Sequence, residues 1–148
     1  MPHPENKGRT VVITRILKAP LALVWEAMTE PEHLVHWFHA DAGWTTPFAE
    51  MDLKKGGKIR IGFGSPDGKN DFVLTGTFTE VTPPTYMAYN LDDGRPVTTR
   101  LAAQGPNETK LVVEFALETT FSEEQQREGW TLMYVNLEKH LATLTTGA

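Results

Sequence analysis

Cysteine is absent from this chain, and serine occurs only at positions 65 and 122. Without cysteine there are no disulfides, no thiolate nucleophile and no thiolate-ligated metal. With two serines, one in a turn and one before a helix, no G-x-S-x-G arrangement exists for acyl transfer. Positive charge is in short supply, with 14 Lys and Arg against 19 Asp and Glu, a formal net charge of -5. No basic patch stands out, which argues against nucleic acid or an anionic membrane surface as a partner. No apolar run approaches the ~20 residues of a membrane span. The first eight residues are polar and contain proline, unlike a signal peptide. These absences lead to the expectation of a cytoplasmic protein with no cofactor.

At 148 residues the chain is read as one domain over 9–148, preceded by a loose tail over 1–8. A chain of this size buries roughly 70% of its unfolded surface and needs no covalent staple. The most informative segment is the last quarter. Ser122 and Gln125 have the form of a capping box. Trp130, Met133, Tyr134, Leu137, Leu141 and Leu144 then form an apolar helical stripe, backed by Glu128, Glu138 and Lys139. This spacing predicts one long helix over about 122–144.

Upstream, Arg9 to Lys18 is rich in β-branched residues and reads as a first strand. Pro20 suits a first helical position, and Leu21, Val24, Trp25 and Met28 follow at helical spacing. Glu30-Pro31 divides this helix from a second short one bearing Leu34, Trp37 and Phe38. From Trp44 the period changes to two. Met51, Ile59, Ile61, Phe63, Phe72, Leu74, Phe78, Met87, Tyr89, Val97, Leu101, Leu111, Val113 and Phe115 alternate with polar or small neighbours, and Gly56-Gly57, Pro66-Asp67-Gly68 and Asp93-Gly94 supply turns. Strands of this kind make an antiparallel sheet with one dry face. The order strand, two short helices, about six strands, long helix predicts an α+β helix-grip fold, with the sheet curved around the C-terminal helix.

Several marks in a fixed order carry a resemblance over about Val11 to Leu141. They are Arg15 with Ala19-Pro20, Val24-Trp25, Thr29-Glu30-Pro31-Glu32-His33-Leu34 followed by Trp37, Asp52-Leu53 with Gly56-Gly57, Pro66-Asp67-Gly68, Gly76, Pro83-Pro84 and Gly129-Trp130. In these the chain resembles the START-like, Bet v 1-like superfamily, and within it the bacterial proteins related to the activator of the heat-shock-protein-90 ATPase. The run Trp37-Phe38-His39-Ala40-Asp41 departs from the second tryptophan and Gly-Pro of many relatives. The resemblance implies a cavity between helix and sheet, used across the superfamily for apolar molecules. Some relatives are cyclases or aromatases, and others bind a chaperone.

The candidate ligand site follows from the stripe and the alternation together. Trp130, Met133, Tyr134 and Leu137 are expected to face Met51, Ile61, Phe63, Phe72, Leu74, Tyr89 and Leu101, with Trp37, Phe38 and His39 at the rim. The same positions also read as ordinary core. Gly76 is expected to leave space on the inward face, and methionines adapt to variable shapes. His39 is a candidate general base or hydrogen-bond partner, but no acid/base pair is legible. His33, His36 and His39 are spaced by three, yet they fan across roughly 120° of a helix and no nearby carboxylate pair has clear ligand spacing, so no metal site is expected there. The helix-start pattern of the family the chain resembles implies that His33 is exposed. Glu26 and Glu30 read as solvated. Gly62 to Lys69 is glycine-rich but lacks the Lys-Ser/Thr pair and following helix of a phosphate loop. The resulting expectation is a binder of a small apolar molecule. The alternatives are a cyclase or aromatase acting on a polyketide-like substrate, or a chaperone-interacting protein. The edges and exposed aromatics offered by the first strand and the short helices also allow a homodimer.

Overall fold

A computed structural model of the chain describes residues 2–39 and 43–145. The elements run β1 (Thr10–Leu17), α1 (Leu21–Thr29), α2 (Pro31–Trp37), β2 (Ala49–Met51), β3 (Lys58–Phe63), β4 (Phe72–Thr82), β5 (Tyr86–Leu91), β6 (Pro96–Gly105), β7 (Glu108–Ala116) and α3 (Glu123–Thr145). All strands are antiparallel and form one sheet in the order β1-β7-β6-β5-β4-β3-β2. The last strand therefore returns beside the first, and β2 lies at the far edge.

The alternation becomes a curved sheet because one register of every strand is apolar. Val11, Ile13 and Leu17 of β1, Ile59 and Ile61 of β3, and Leu111, Val113 and Phe115 of β7 are buried in one core with Met133, Tyr134, Leu137 and Leu141 of α3. Two devices set the curvature near β3 and β4. At Gly57 an added Cβ would fall 1.9 Å from the Asp52 carbonyl oxygen, so only glycine lets the chain turn there. At Phe78/Glu80 the pairing of β4 with β5 shifts register.

α3 begins as its sequence dictates. Gln125 N–H donates to Ser122 Oγ at 3.1 Å, and Ser122 N–H donates to Gln125 Oε1 at 3.0 Å. These bonds satisfy donors the first helical turn would otherwise leave free. Leu144, placed on the stripe by spacing, is 38% exposed because the helix has run past the sheet. Glu138, assigned to the solvent side, instead meets Arg15 of β1 at 2.7 Å. That partner strengthens the guanidinium's hold on its proton. Both side chains remain about one-third exposed, so the pair fixes where the helix sits more than it stabilises the fold.

The segment between β7 and α3 is held by buried amides. The Gln126 side chain accepts from Glu118 N–H at 2.9 Å and donates to the Glu118 and Phe121 carbonyls at 3.0 and 2.9 Å. Asn6 donates to the same two carbonyls at 3.3 and 2.9 Å and is 2% exposed. Residues 3–6, read from sequence as loose, are thus docked, with Pro4–Asn6 forming a 3-10 turn. Loop carbonyls that would be costly to bury alone hold them there. Gln126→Ala should lower stability by about 1–3 kcal/mol, because the Glu118 amide loses its acceptor. Urea unfolding measures this, and an unchanged midpoint would show that the buried amide is not needed to hold the loop.

Candidate functional site: an apolar cleft beside the C-terminal helix

The helix does not sit centrally over the sheet. Its closest approaches are to β1, α1 and α2, and Trp130 stacks on Phe115 of β7 with ring centroids 4.4 Å apart and planes 10° from parallel. The opposite half of the sheet, β3 to β5, curves away from the first turns of α3. A cleft of about 340 Å³ fills the wedge, open on one side to solvent. Phe38, Trp44, Phe63, Phe72, Leu74, Leu91, Arg95, Phe121, Gln126, Gly129, Trp130 and Met133 line it. That volume lies at the lower end of the range for small-molecule sites.

The wall is aromatic from the core outwards. Trp37 is anchored by its indole N–H, which donates to the Ala27 carbonyl at 2.9 Å, and it stacks on Phe38 at 5.2 Å. Phe38 meets the edge of Phe63 at 5.8 Å, Phe63 stacks on Phe72 at 4.6 Å, and Trp44 meets Phe72 at 6.0 Å. Burial decreases along this series until Phe72 is 52% exposed, and Phe121 across the mouth is 54% exposed. Two large exposed rings flanking a hollow are unusual on a surface with nothing to bind.

The polar groups are few. Gln126 is saturated by the loop it holds. Arg95 donates through Nε to Asp93 at 2.7 Å, and among the described residues its terminal nitrogens have no protein partner. No carboxylate, histidine, serine or threonine lines the cleft among the described residues. This arrangement can hold an apolar guest and orient one anionic end. Among the described residues it offers no pair of groups for proton transfer.

Of the residues expected from sequence, the structure gathers Phe38, Phe63, Phe72, Leu74, Trp130 and Met133 around this cleft. Trp37, Ile61, Tyr89, Leu101, Tyr134 and Leu137 are packed in the core, and Met51 is half-buried on β2 opposite Ile59. Burial raises both the Tyr89 and Tyr134 phenols well above their ordinary range, so both stay neutral. Gly76 does not leave space: a Cβ there would be 2.8 Å from the Asn90 carbonyl oxygen, so its missing side chain admits the neighbouring backbone. Ala40 and Asp41, part of the departure from the relatives, lie outside the described residues.

Trp44, Leu91, Arg95, Phe121, Gln126 and Gly129 were not expected to line a site. Gly129 carries the clearest signal. A glycine inside a helix costs about 1 kcal/mol relative to alanine, and a Cβ at Gly129 would meet nothing within 4 Å. The backbone does not require it, and the cleft lies beside it.

His39 borders a separate, polar hollow with His36, Asn136, Lys139, His140 and Thr143. Its Nδ1 lies 3.1 Å from Thr46 Oγ1, whose hydroxyl donates to the Phe38 carbonyl at 2.8 Å. The Asn136 amide donates to the His39 carbonyl at 2.6 Å. Partial burial lowers the His39 pKa below its ordinary value.

The fold and cleft define a helix-grip protein of the START-like, Bet v 1-like kind. The family model described as Activator of Hsp90 ATPase homolog 1-like protein matches residues 18–142, and the chain belongs to that family. It is similar over 91% of its length to 93% of the AHSA1-like protein from Aeromonas hydrophila, with 29% identity and a TM-score of 0.84. It is similar over 95% of its length to 98% of a protein from Cytophaga hutchinsonii, with 27% identity and a TM-score of 0.77. A protein from Nitrosomonas europaea, 24% identical over 90% of this chain and 94% of its own, shares the fold with a TM-score of 0.78. No curated protein sequence matches the chain. No described helix is long and apolar enough to cross a membrane.

The His39 shift has a defined sign. The unfolded chain takes up a proton near pH 6.5, whereas the folded chain does so only at lower pH. Stability should therefore fall as pH drops through about 6.5 and level off below the folded value. His39→Gln should make the fall shallower in urea titrations at pH 7.5 and 5. An identical pH dependence in the variant would mean that His39 titrates as it does in the unfolded chain.

Proposed function

We propose that this protein binds a small, flat, apolar molecule in the cleft between α3 and the β3–β5 half of the sheet. The observation that carries this reading is the pairing of an exposed aromatic wall with a mid-helix glycine that leaves room in front of it. Rings such as Phe63 and Phe72 offer stacked faces to a planar guest. Arg95 at the mouth favours a guest ending in a carboxylate or similar anion. A hydrogen-bond-poor lining supports holding rather than catalysis, since proton transfer needs a positioned acid or base. The protein's role is accordingly carriage, sequestration or sensing of its guest.

The family's name invokes a chaperone ATPase. The exposed apolar residues of the convex face of this chain, Val12 and Ile16 on β1 and Val73 on β4, stand on strands separated by β7, β6 and β5. Among the described residues they make no continuous patch of the kind a protein partner needs, which favours the cleft as the working surface.

The test uses two fluorescent naphthalenes, anionic 1-anilinonaphthalene-8-sulfonate and neutral N-phenyl-1-naphthylamine. Both should bind once per chain. Gly129→Leu should abolish both signals while holding or raising stability by roughly 0.5–1 kcal/mol, because leucine fills the cleft and is the better helix former. Arg95→Gln should weaken the anionic compound about 3- to 10-fold and leave the neutral one unchanged, a modest effect suited to a half-exposed charge. Binding that survives Gly129→Leu would locate the guest elsewhere and overturn the proposal.

A further inference from the structure

Far from the cleft, where α1, α2 and the last turns of α3 meet, the chain gathers a second chemical cluster. Glu30 is the residue at which α1 ends and α2 begins. The bend at Glu30-Pro31 turns the first residues of α2 back towards α1. His33 Nε2 then lies 3.7 Å from Glu26 Oε1 and 3.9 Å from Glu30 Oε2. The three candidate ligand atoms are all within 4.8 Å of one another. Behind His33, its Nδ1 is 2.9 Å from His140 Nε2 on α3. His36 stacks on the same His140 ring at 5.4 Å. The His33 side chain is only 16% exposed, in contrast to the exposed position implied by the family's helix-start pattern.

We propose that Glu26, Glu30 and His33 form a binding site for a divalent transition-metal ion of the zinc type. Two oxygens and one imidazole nitrogen bound at about 2.0–2.1 Å around a tetrahedral ion stand about 3.3 Å apart. The two imidazole-to-carboxylate separations of 3.7 and 3.9 Å need to close by about half an ångström, and the carboxylate oxygens, within 4.8 Å of each other, by up to about 1.5 Å, on two half-exposed glutamate side chains. The ring is oriented for the purpose. When Nδ1–H donates to His140 Nε2, the lone pair of His33 Nε2 faces the two carboxylates. A ligating histidine commonly has its other nitrogen held in this way by an outer partner. The charge is also unbalanced, because among the described residues neither Glu26 nor Glu30 has a lysine or arginine partner. The imidazole selects zinc-like ions over magnesium and calcium, which prefer oxygen alone. Water completes the coordination, as the site is open on its solvent side.

His140 lies ten residues beyond Trp130, about 15 Å along the helix. The metal site and the cleft are thus separate, and each can fail without the other. Isothermal titration of tag-free protein with zinc chloride and magnesium chloride tests the assignment. Zinc should bind once per chain and magnesium should give no saturable heat. Glu30→Gln and Glu26→Gln, both conservative changes at half-exposed positions, should each weaken zinc at least 10-fold, and His33→Gln should do the same. His140→Gln should weaken it by about 10-fold through loss of the outer partner. His36→Gln and Gly129→Leu should leave it within about 3-fold. In imidazole ¹⁵N spectra the His33 Nε2 resonance should shift on adding zinc. Absence of saturable zinc binding would overturn the proposal. So would binding that survives Glu30→Gln and Glu26→Gln but fails in His36→Gln, which would assign the ion to the neighbouring histidines.

Discussion

The position of α3 on the sheet is the constraint from which the rest follows. The stack of Trp130 on Phe115 and the Arg15–Glu138 pair draw the helix towards β1 and β7. The stack contributes on the order of 1 kcal/mol beyond the area it buries, and the ion pair adds register more than energy. A helix held to one side of a curved sheet cannot fill the other side. The wedge left against β3 to β5 is bounded by rings rather than closed by them, since Phe72 and Phe121 stand at its mouth with half their surface in water.

The two ends of α3 consequently do different work. Its first turns, fixed by the Ser122–Gln125 box and the buried Gln126 amide, carry the open cleft. Its middle, Tyr134 and Leu137, is closed core. Its last turns bring His140 against His33 and order the polar cluster of α1 and α2. Membership of the family related to the Hsp90 ATPase activator fixes the architecture. The chemistry presented on it comes from the residues of this chain.

Much of the architecture was legible in the sequence because it depends on local periodicity. Alternation located the strands, the capping box located the start of α3, and the turn glycines located the reversals. The site was legible in part, for a physical reason. Period-two and period-3.6 patterns say which residues point inwards, but not where facing layers fail to meet. Tyr89, Leu101, Tyr134 and Leu137 point inwards as expected and are enclosed. Leu91 shares the alternating face of Met87 and Tyr89 on β5, whereas Arg95 and Phe121 reach the cleft because of where the β5–β6 turn and the β7–α3 loop travel, which no periodicity records. Gly76 was misread because its meaning lies in the carbonyl of the next strand. The Glu26–Glu30–His33 cluster was invisible because it depends on the angle between α1 and α2.

The central claim is that the hollow between α3 and β3–β5 is a real receptacle for a planar apolar guest. The most direct measurement is nuclear Overhauser contact between a bound naphthalene and the protein. The account predicts cross-peaks from the guest to the Met133 methyl, the Trp130 indole and the Phe63 and Phe72 rings. Contacts confined to the Val12 and Ile16 methyls of the convex face, or none to the Met133 and Trp130 side chains, would contradict it.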